Sequence, residues 1–378
     1  MLETIHQATF ILNQSLQMSD LRLRNILIAL YCWGITGSLL FSQDDFSKTT
    51  VIQAKADYLD MVYDHVRDLL YLSDPDGNLV TIDPDDLTQV DSIAIGNLPN
   101  RLEIANDASR VYIGLDGDRA FRYFEPSTGI VGPIRFLFNN QSAPATASDI
   151  AIVPDDPTVV VVAKDTVGST LDGVLEIFDD SGSIGESVEF FDNADSIKFV
   201  DPVTLISQDT VVGGEIQRWA FTGTSLSVEQ FVNNFPAGLE FKVNDGLVFF
   251  RSGLIIDPFS LTALGSLPRN SSNDAFEVFD GEFGTTFDLV QVGGPIRLRR
   301  FDNGTFLLVD FVDFDGLLSN ANPTRLIRCG HNRLAYLRRE FGGISEIGVF
   351  SNVPTGAAPA STRPLIIQPI DSTRRIRR

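Results

Sequence analysis

The stretch "RLEIANDASRVYIGLDGDRAFRYFEPSTGIVG" (residues 101–132) holds the pattern from which the rest of the chain is read. Short alternating runs of Val, Ile, Phe and Tyr are broken by Asn-Asp, Asp-Gly-Asp and Pro-Ser-Thr-Gly. Alternation with period two, bounded by such turn residues, predicts strands joined by tight turns. In this frame "LDGD" (115–118) is the hairpin between strands "VYIG" and "RAFRYF", and Asp116 and Asp118 are not a metal site on their own.

The pattern recurs. An apolar residue followed by an acidic or polar one and a turn appears as "IDP" (82–84), "FEP" (124–126), "FDD" (178–180) and "FTG" (221–223). It returns as "IDP" (256–258), "FDN" (301–303) and "FSN" (350–352), mostly 42 to 54 residues apart with one gap of 35. An alternating strand, a polar turn and a strongly apolar strand also occur seven times, starting near residues 58, 101, 149, 196, 239, 275 and 325. Each unit reads as four strands, a to d, with the second signature covering a–b and the first marking the c–d turn. Seven such units predict an all-β, seven-bladed β-propeller of four-stranded antiparallel blades. The seventh unit stops after its third strand, near Val353, and "TTVIQAKA" (49–56) has no unit of its own. That segment is expected to complete the last blade as its outer strand, closing the ring and removing a free edge.

The unit 101–132 resembles the YVTN-type and lactonase-like repeats of bacterial seven-bladed propellers. In those repeats "D-G-x-x-[VL]-Y-V" and "D-x-x-T-G" mark the a–b and c–d turns, where this chain has "NDASRVYI" and "EPSTG". The resemblance covers about 300 residues and is sharp in the first two or three units. It implies a fold; function does not follow from fold.

Outside the propeller, Arg22 and Arg24 precede "NILIALYCWGITGSLLFS", a basic start and a short apolar run of the secretory-signal kind. Residues 1–42 are therefore expected to be a signal peptide, with translation starting at Met18; a single-pass anchor is the alternative. The body, 49–353, is expected outside the cytoplasm, secreted, periplasmic or at the cell surface. Residues 354–378 are Pro/Ala/Thr-rich and then basic, as expected of a flexible tail. Removal of Cys32 with the signal leaves Cys329 alone, so no intrachain disulfide is expected.

The net charge of −21 argues against nucleic acid and against anionic membranes as ligands of the propeller. A monomer is expected. The d–a loops, which ring the channel mouth, all contain asparagine. The candidate ligand-binding residues are Asn97, Asn100, Asn139, Asn140, Asp192, Asn193, Asp195, Asn233, Asn234, Asn273, Asp274, Asn320 and Asn322. They offer amides and carboxylates to a protein or to a polar ligand such as carbohydrate, although turn chemistry alone also favours Asn. "DPDGN" (74–78) places Asp74, Asp76 and Asn78 at alternating positions, as calcium loops do, but the Gly and Glu spacing of such a loop is missing. His65 and His331 fall in equivalent a–b turns of the first and last units. No nucleophile elbow or zinc-ligand spacing is present, so a non-catalytic binding or adhesion module without a cofactor is expected. The alternative is a lactonase-like or other hydrolytic enzyme with a divalent cation at the channel mouth.

Overall fold

The computed structural model describes residues 49–55, 57–139, 142–166, 174–185, 188–189, 196–209, 214–233, 235, 241–244, 246–267, 277–280, 285–291, 296–318, 321–330, 332–340, 343–351 and 353. The signal, the start at Met18, Cys32 and the tail 354–378 lie outside them, and so does His331. All the secondary structure described is β-strand, in seven antiparallel sheets.

Blade 1 runs from inner to outer edge as Met61–Asp64, Leu69–Asp74, Asn78–Ile82 and Gln89–Ala94. Blade 2 is Pro99–Ile104, Val111–Leu115 and Ala120–Glu125, with an outer strand broken into Ile130–Val131 and Arg135–Phe136. Blade 3 is Ala145–Val153, Asp156–Thr166 and Val174–Asp179, with outer pieces Gly182–Ser183 and Val188–Glu189. Blades 4 and 5 are Ser196–Asp201, Thr204–Asp209, Glu215–Phe221, Leu226–Val232 and Phe241–Asn244, Leu247–Phe250, Leu254–Asp257, Thr262–Ser266. Blade 6 is Glu277–Asp280, Thr285–Gln291, Ile296–Asp302 and Leu308–Phe314. Blade 7 takes Asn322–Arg328, Leu334–Arg339 and Ser345–Ser351 from the end of the chain and Thr49–Lys55 from its start.

The closing strand pairs in unbroken antiparallel register, from Thr49 opposite Ser351 to Lys55 opposite Ser345. The inner strands touch one another in ring order, blade 1 to blade 7 and back to blade 1. The chain is a seven-bladed β-propeller. The repeat forced this answer because each blade has two apolar faces and buries them only between neighbours. Between blades 7 and 1 the joint is filled by Tyr58, Met61, Leu70, Leu72, Cys329, Ala335, Leu337 and Ile347. Comparable clusters lie between blades 1 and 2, 2 and 3, 3 and 4, and 4 and 5.

Two details depart from the sequence reading. Asn100 and Asn322 sit at the beginnings of inner strands rather than in the d–a loops, because those strands begin at Pro99 and Asn322. The outer strand of blade 2 is interrupted at Gly132-Pro133, where proline has no N–H to donate and the chain bulges. Arg122 stabilises the bulge by donating through Nε to the Gly132 carbonyl at 3.0 Å.

Candidate functional site: the channel and the rim of blades 2 and 3

The inner strands repeat one arrangement at the channel. Met61, Leu102, Ile150, Ile197, Phe241 and Leu326 occupy one repeat position and are all buried. Their neighbours along the strand turn to the channel, as period two requires. Asp60, Arg101, Glu103, Asp149, Lys198, Lys242 and Arg325 thereby line an axial cavity of about 130 Å³.

These charges sew blades together. Asp60 accepts the Met61 N–H at 2.7 Å and, from blade 2, the Leu102 N–H at 3.0 Å. Arg325 of blade 7 grips both of its oxygens, with Nη2 at 3.0 Å from Oδ2. Asp149 repeats the device, accepting the Ile150 N–H at 3.0 Å and the Ile197 N–H of blade 4 at 2.9 Å. Arg101 donates to the Ser148 carbonyl at 2.8 Å, joining blade 2 to blade 3. Lys242 of blade 5 reaches the Leu326 carbonyl of blade 7 at 2.9 Å.

Lys198 is held by oxygens on three sides: Glu103 Oε2 at 2.9 Å, Asp149 Oδ1 at 3.4 Å and the Ile150 carbonyl at 3.4 Å. Burial pulls the Lys198 ammonium down, but the carboxylates of Asp149 and Glu103 outweigh it and hold the pKa above the ordinary lysine value. Glu103 also lies above its ordinary value. Burial is the largest cause, and the negative charges of Asp149 and Asp60 add to it against the pull of Lys198. The two shifts make opposite demands on one ion pair. Burial and three crowded carboxylates decide for Glu103, whereas Lys198 has two carboxylates to itself.

On the rim, three of the candidate amides, those of Asn97, Asn100 and Asn139, are engaged within the fold. Asn97 donates its backbone N–H to Asp118 Oδ2 at 2.8 Å and its Nδ2–H to Asp118 Oδ1 at 2.5 Å. Asn100 donates to Asp116 Oδ2 at 2.6 Å. The acidic hairpin 116–119 thus anchors the approach to blade 2, and burial, opposed by the Asn100 bond and by Arg101 and Arg119, leaves Asp116 above the usual carboxylate range. Asn139 is buried and accepts the Ala143 N–H at 2.7 Å, closing its own loop. Asn233 and Asn322 are exposed. Asn140, Asp192, Asn193, Asp195, Asn234, Asn273, Asp274 and Asn320 lie outside the described residues.

The "DPDGN" segment is a hairpin turn. Asp74 accepts the Asp76 N–H at 3.0 Å, Asn78 pairs opposite Asp74, and Gly77 has a φ of +101°. A Cβ at Gly77 would meet the Gly96 carbonyl oxygen at 2.8 Å, so the position needs glycine twice over. Among the described residues no group of three His, Cys, Asp or Glu side chains is placed to hold a metal ion.

One feature of this rim escaped the sequence reading. Ile134, Phe136 and Phe138, on the outer-strand piece Arg135–Phe136 of blade 2 and the chain just before and after it, line a groove of about 500 Å³ against blade 3. Phe136 is 61% exposed and Phe138 50%. The floor is a buried ion pair, Lys164 to Glu176 Oε2 at 2.5 Å, and Lys164 also donates to the Phe138 carbonyl at 2.6 Å. The signal was present as "IRFLFNN" (134–140), an apolar alternation in an outermost strand, where polar residues are expected on the solvent side.

No protein-family model matches the chain, and no curated protein matches its sequence. Solved structures do match in shape. The β-propeller domain of Cps50 (Swd1) from Myceliophteria thermophila superposes with a TM-score of 0.57 at 12% identity, covering 79% of this chain and 99% of that one. The computationally designed protein Ika8 gives a TM-score of 0.54 at 13% identity, over 78% of this chain and 83% of the design. At such identities the likeness carries the fold alone.

Proposed function

We propose that this chain is a non-catalytic binding module whose partner-contacting surface is the blade 2–3 groove on the face of the d–a and b–c connections. The observation that carries the reading is the pair of exposed aromatic rings, Phe136 and Phe138, displayed on a loop that buried Lys164 fixes from beneath. Aromatic side chains beside polar groups on a fixed backbone are what interfaces use, because they gain contact area at little entropic cost. Arg135, half-buried in the same groove, supplies polar orientation to a protein partner, or to a polar ligand such as carbohydrate. The exported location read from residues 22–41 would put that partner at a cell surface or in an envelope space. The channel supports the non-catalytic side of the reading, since the Lys198 ammonium already occupies the oxygen cage that a divalent cation would take.

The test compares the parent with a Phe136→Ser/Phe138→Ser variant of equal thermal stability in quantitative affinity capture from native extracellular material and on a glycan array. A species retained by the parent and lost by about tenfold in the variant is expected. Equal retention overturns the groove. One stoichiometric divalent ion in dialysed protein would overturn the non-catalytic reading.

A further inference from the structure

The blade 2–3 groove sets aromatic rings of one blade beside a polar array of the other. On blade 2, exposed Phe136 and Phe138 flank buried Leu137. Their backbone is pinned, since Leu137 donates to the Arg119 carbonyl at 2.8 Å and accepts the Ala145 N–H at 3.0 Å. On blade 3, Val160, Val162 and Phe178 pack against blade 2. Strand register puts Lys164, Glu176 and Ser183 on that same packing face, with Glu176 opposite Val162 and Ser183 opposite Phe178. Three polar side chains thus stand where the joint is otherwise apolar, and all three line the groove. Its volume of about 500 Å³ is that of a small-ligand site rather than of a flat protein interface.

The hydrogen-bond ledger of this array is unfilled. Lys164, with 2% of its side chain exposed, donates to the Phe138 carbonyl at 2.6 Å and to Glu176 Oε2 at 2.5 Å. An ammonium has a third N–H to give. Glu176 accepts from Lys164 and, on Oε1, from the Ser183 hydroxyl at 2.5 Å, two of the roughly four bonds a carboxylate takes. Arg135 donates to the Asp180 carbonyl alone among the described residues. Open donors and open acceptors therefore stand side by side. Their charges cancel locally, because Lys164 is matched by Glu176 and Asp179 lies close enough to Arg135 for the two charges to interact. An anion would meet Glu176 and Asp179, and a cation would meet Lys164 and Arg135. An apolar segment would shut water away from the array and leave its open positions unmet. A hydroxyl both donates and accepts, and so suits both kinds of position without carrying charge.

We propose that the blade 2–3 groove binds a neutral oligosaccharide, an inference that rests on the groove as the contacting surface and names its ligand. The C–H faces of the sugar rings cover Phe136 and Phe138, whose ring faces carry the negative side of the aromatic quadrupole. The hydroxyls fill the open positions on Glu176, Lys164, Ser183 and Arg135. Polyhydroxylated rings are the ligands that present an apolar face and a dense rim of uncharged donors and acceptors at once.

The full chain is applied to an array of neutral, acidic and amino-sugar glycans, and the glycans retained are titrated as free oligosaccharides. Binding confined to neutral glycans is expected, weakened about tenfold by Phe136→Ser and by Glu176→Gln. It should be unchanged by Phe231→Ser, an exposed aromatic on the outer strand of blade 4. It should also be unchanged in about 1 M salt, which screens an ionic ligand and leaves a neutral one alone. Ser183→Ala keeps the Lys164–Glu176 pair and guards against a Glu176 variant that does not fold; it too should weaken binding, and every variant is checked by thermal melting. Retention of charged glycans only, of no glycan, or equal binding by the groove variants overturns the neutral sugar. A protein captured by the parent and lost from Phe136→Ser/Phe138→Ser, with no glycan retained, would keep the groove and remove the sugar. Loss of neither protein nor glycan in that variant would remove both.

Discussion

Lys198 on the inner strand of blade 4 reaches past blade 3 to bond Glu103 of blade 2, Nζ to Oε2, at 2.9 Å. With Asp149 of blade 3 also in contact, one ammonium ties three consecutive blades at the axis. Inter-blade packing alone would allow neighbouring blades to slide, whereas a charge shared by three strands fixes their heights relative to one another.

Lys198→Met should leave Glu103 and Asp149 facing each other without their cation. Because both side chains keep some exposure, the expected loss is about 1–3 kcal/mol, below that of a fully buried broken pair. The emptied cage of two carboxylates and a carbonyl should then accept calcium. Calcium is expected to raise the melting temperature of the variant and leave that of the parent unchanged, and equal shifts in both would contradict the cage.

Glu103 sets a pH dependence with a defined sign. Its folded pKa is raised, so its contribution to stability is fully present below the ordinary glutamate pKa of about 4.3 and is lost as pH rises through the folded value. Glu103→Gln imitates the protonated form and keeps an acceptor for Lys198. Melting curves from acid to neutral pH should show the difference between variant and parent moving in favour of the variant as pH rises.

Arg338 and Glu346 in blade 7 form a fully buried pair at 3.1 Å, and Arg338 also holds the Ala321 carbonyl at 2.7 Å. Glu346 receives the Leu318 N–H at 2.8 Å, so the pair fixes the connection from blade 6 into blade 7. Arg338→Met leaves a buried carboxylate uncompensated and should cost about 3–5 kcal/mol in chemical denaturation. A cost below about 1 kcal/mol would mean that water reaches Glu346.

Removing residues 49–55 strips blade 7 of its outer strand and exposes the edge Ser345–Ser351. The ring joint between blades 7 and 1 then loses its clasp, and a fall in melting temperature on the order of 10 °C, or aggregation, is expected. A variant that melts like the parent would show that the packing of Met61, Leu72 and Leu337 closes the ring unaided.

Cys329 is buried in that same joint, and burial pushes its thiol up to about 12. The thiolate is the reactive form, so Cys329 of the native protein should resist a thiol reagent at neutral pH and react only after denaturation. Rapid labelling of the native protein at Cys329 would show that the joint opens.

The repeat was legible because strand, turn and spacing are local properties. "VYIGLDGDRAFRYFEPSTG" folds as two strands, a hairpin and a turn wherever it stands, and the missing fourth strand of the last unit pointed to residues 49–56. The site was much less legible. Asparagine in the d–a connections was visible, but whether it faces a ligand or a neighbour was not. Asn97 and Asn100 turn to Asp118 and Asp116, and Asn139 to its own loop.

The sequence by itself determined the number of blades, their strand order and the closure of the ring, since each follows from apolar periodicity and turn residues a few positions apart. Only the tertiary structure decided which charges meet. Asp60 and Arg325 are separated by most of the chain yet share two bonds across the closing joint, and Lys198 finds Glu103 past the intervening blade 3. Partners so distant in sequence are set by the curvature of the ring, which no local pattern encodes.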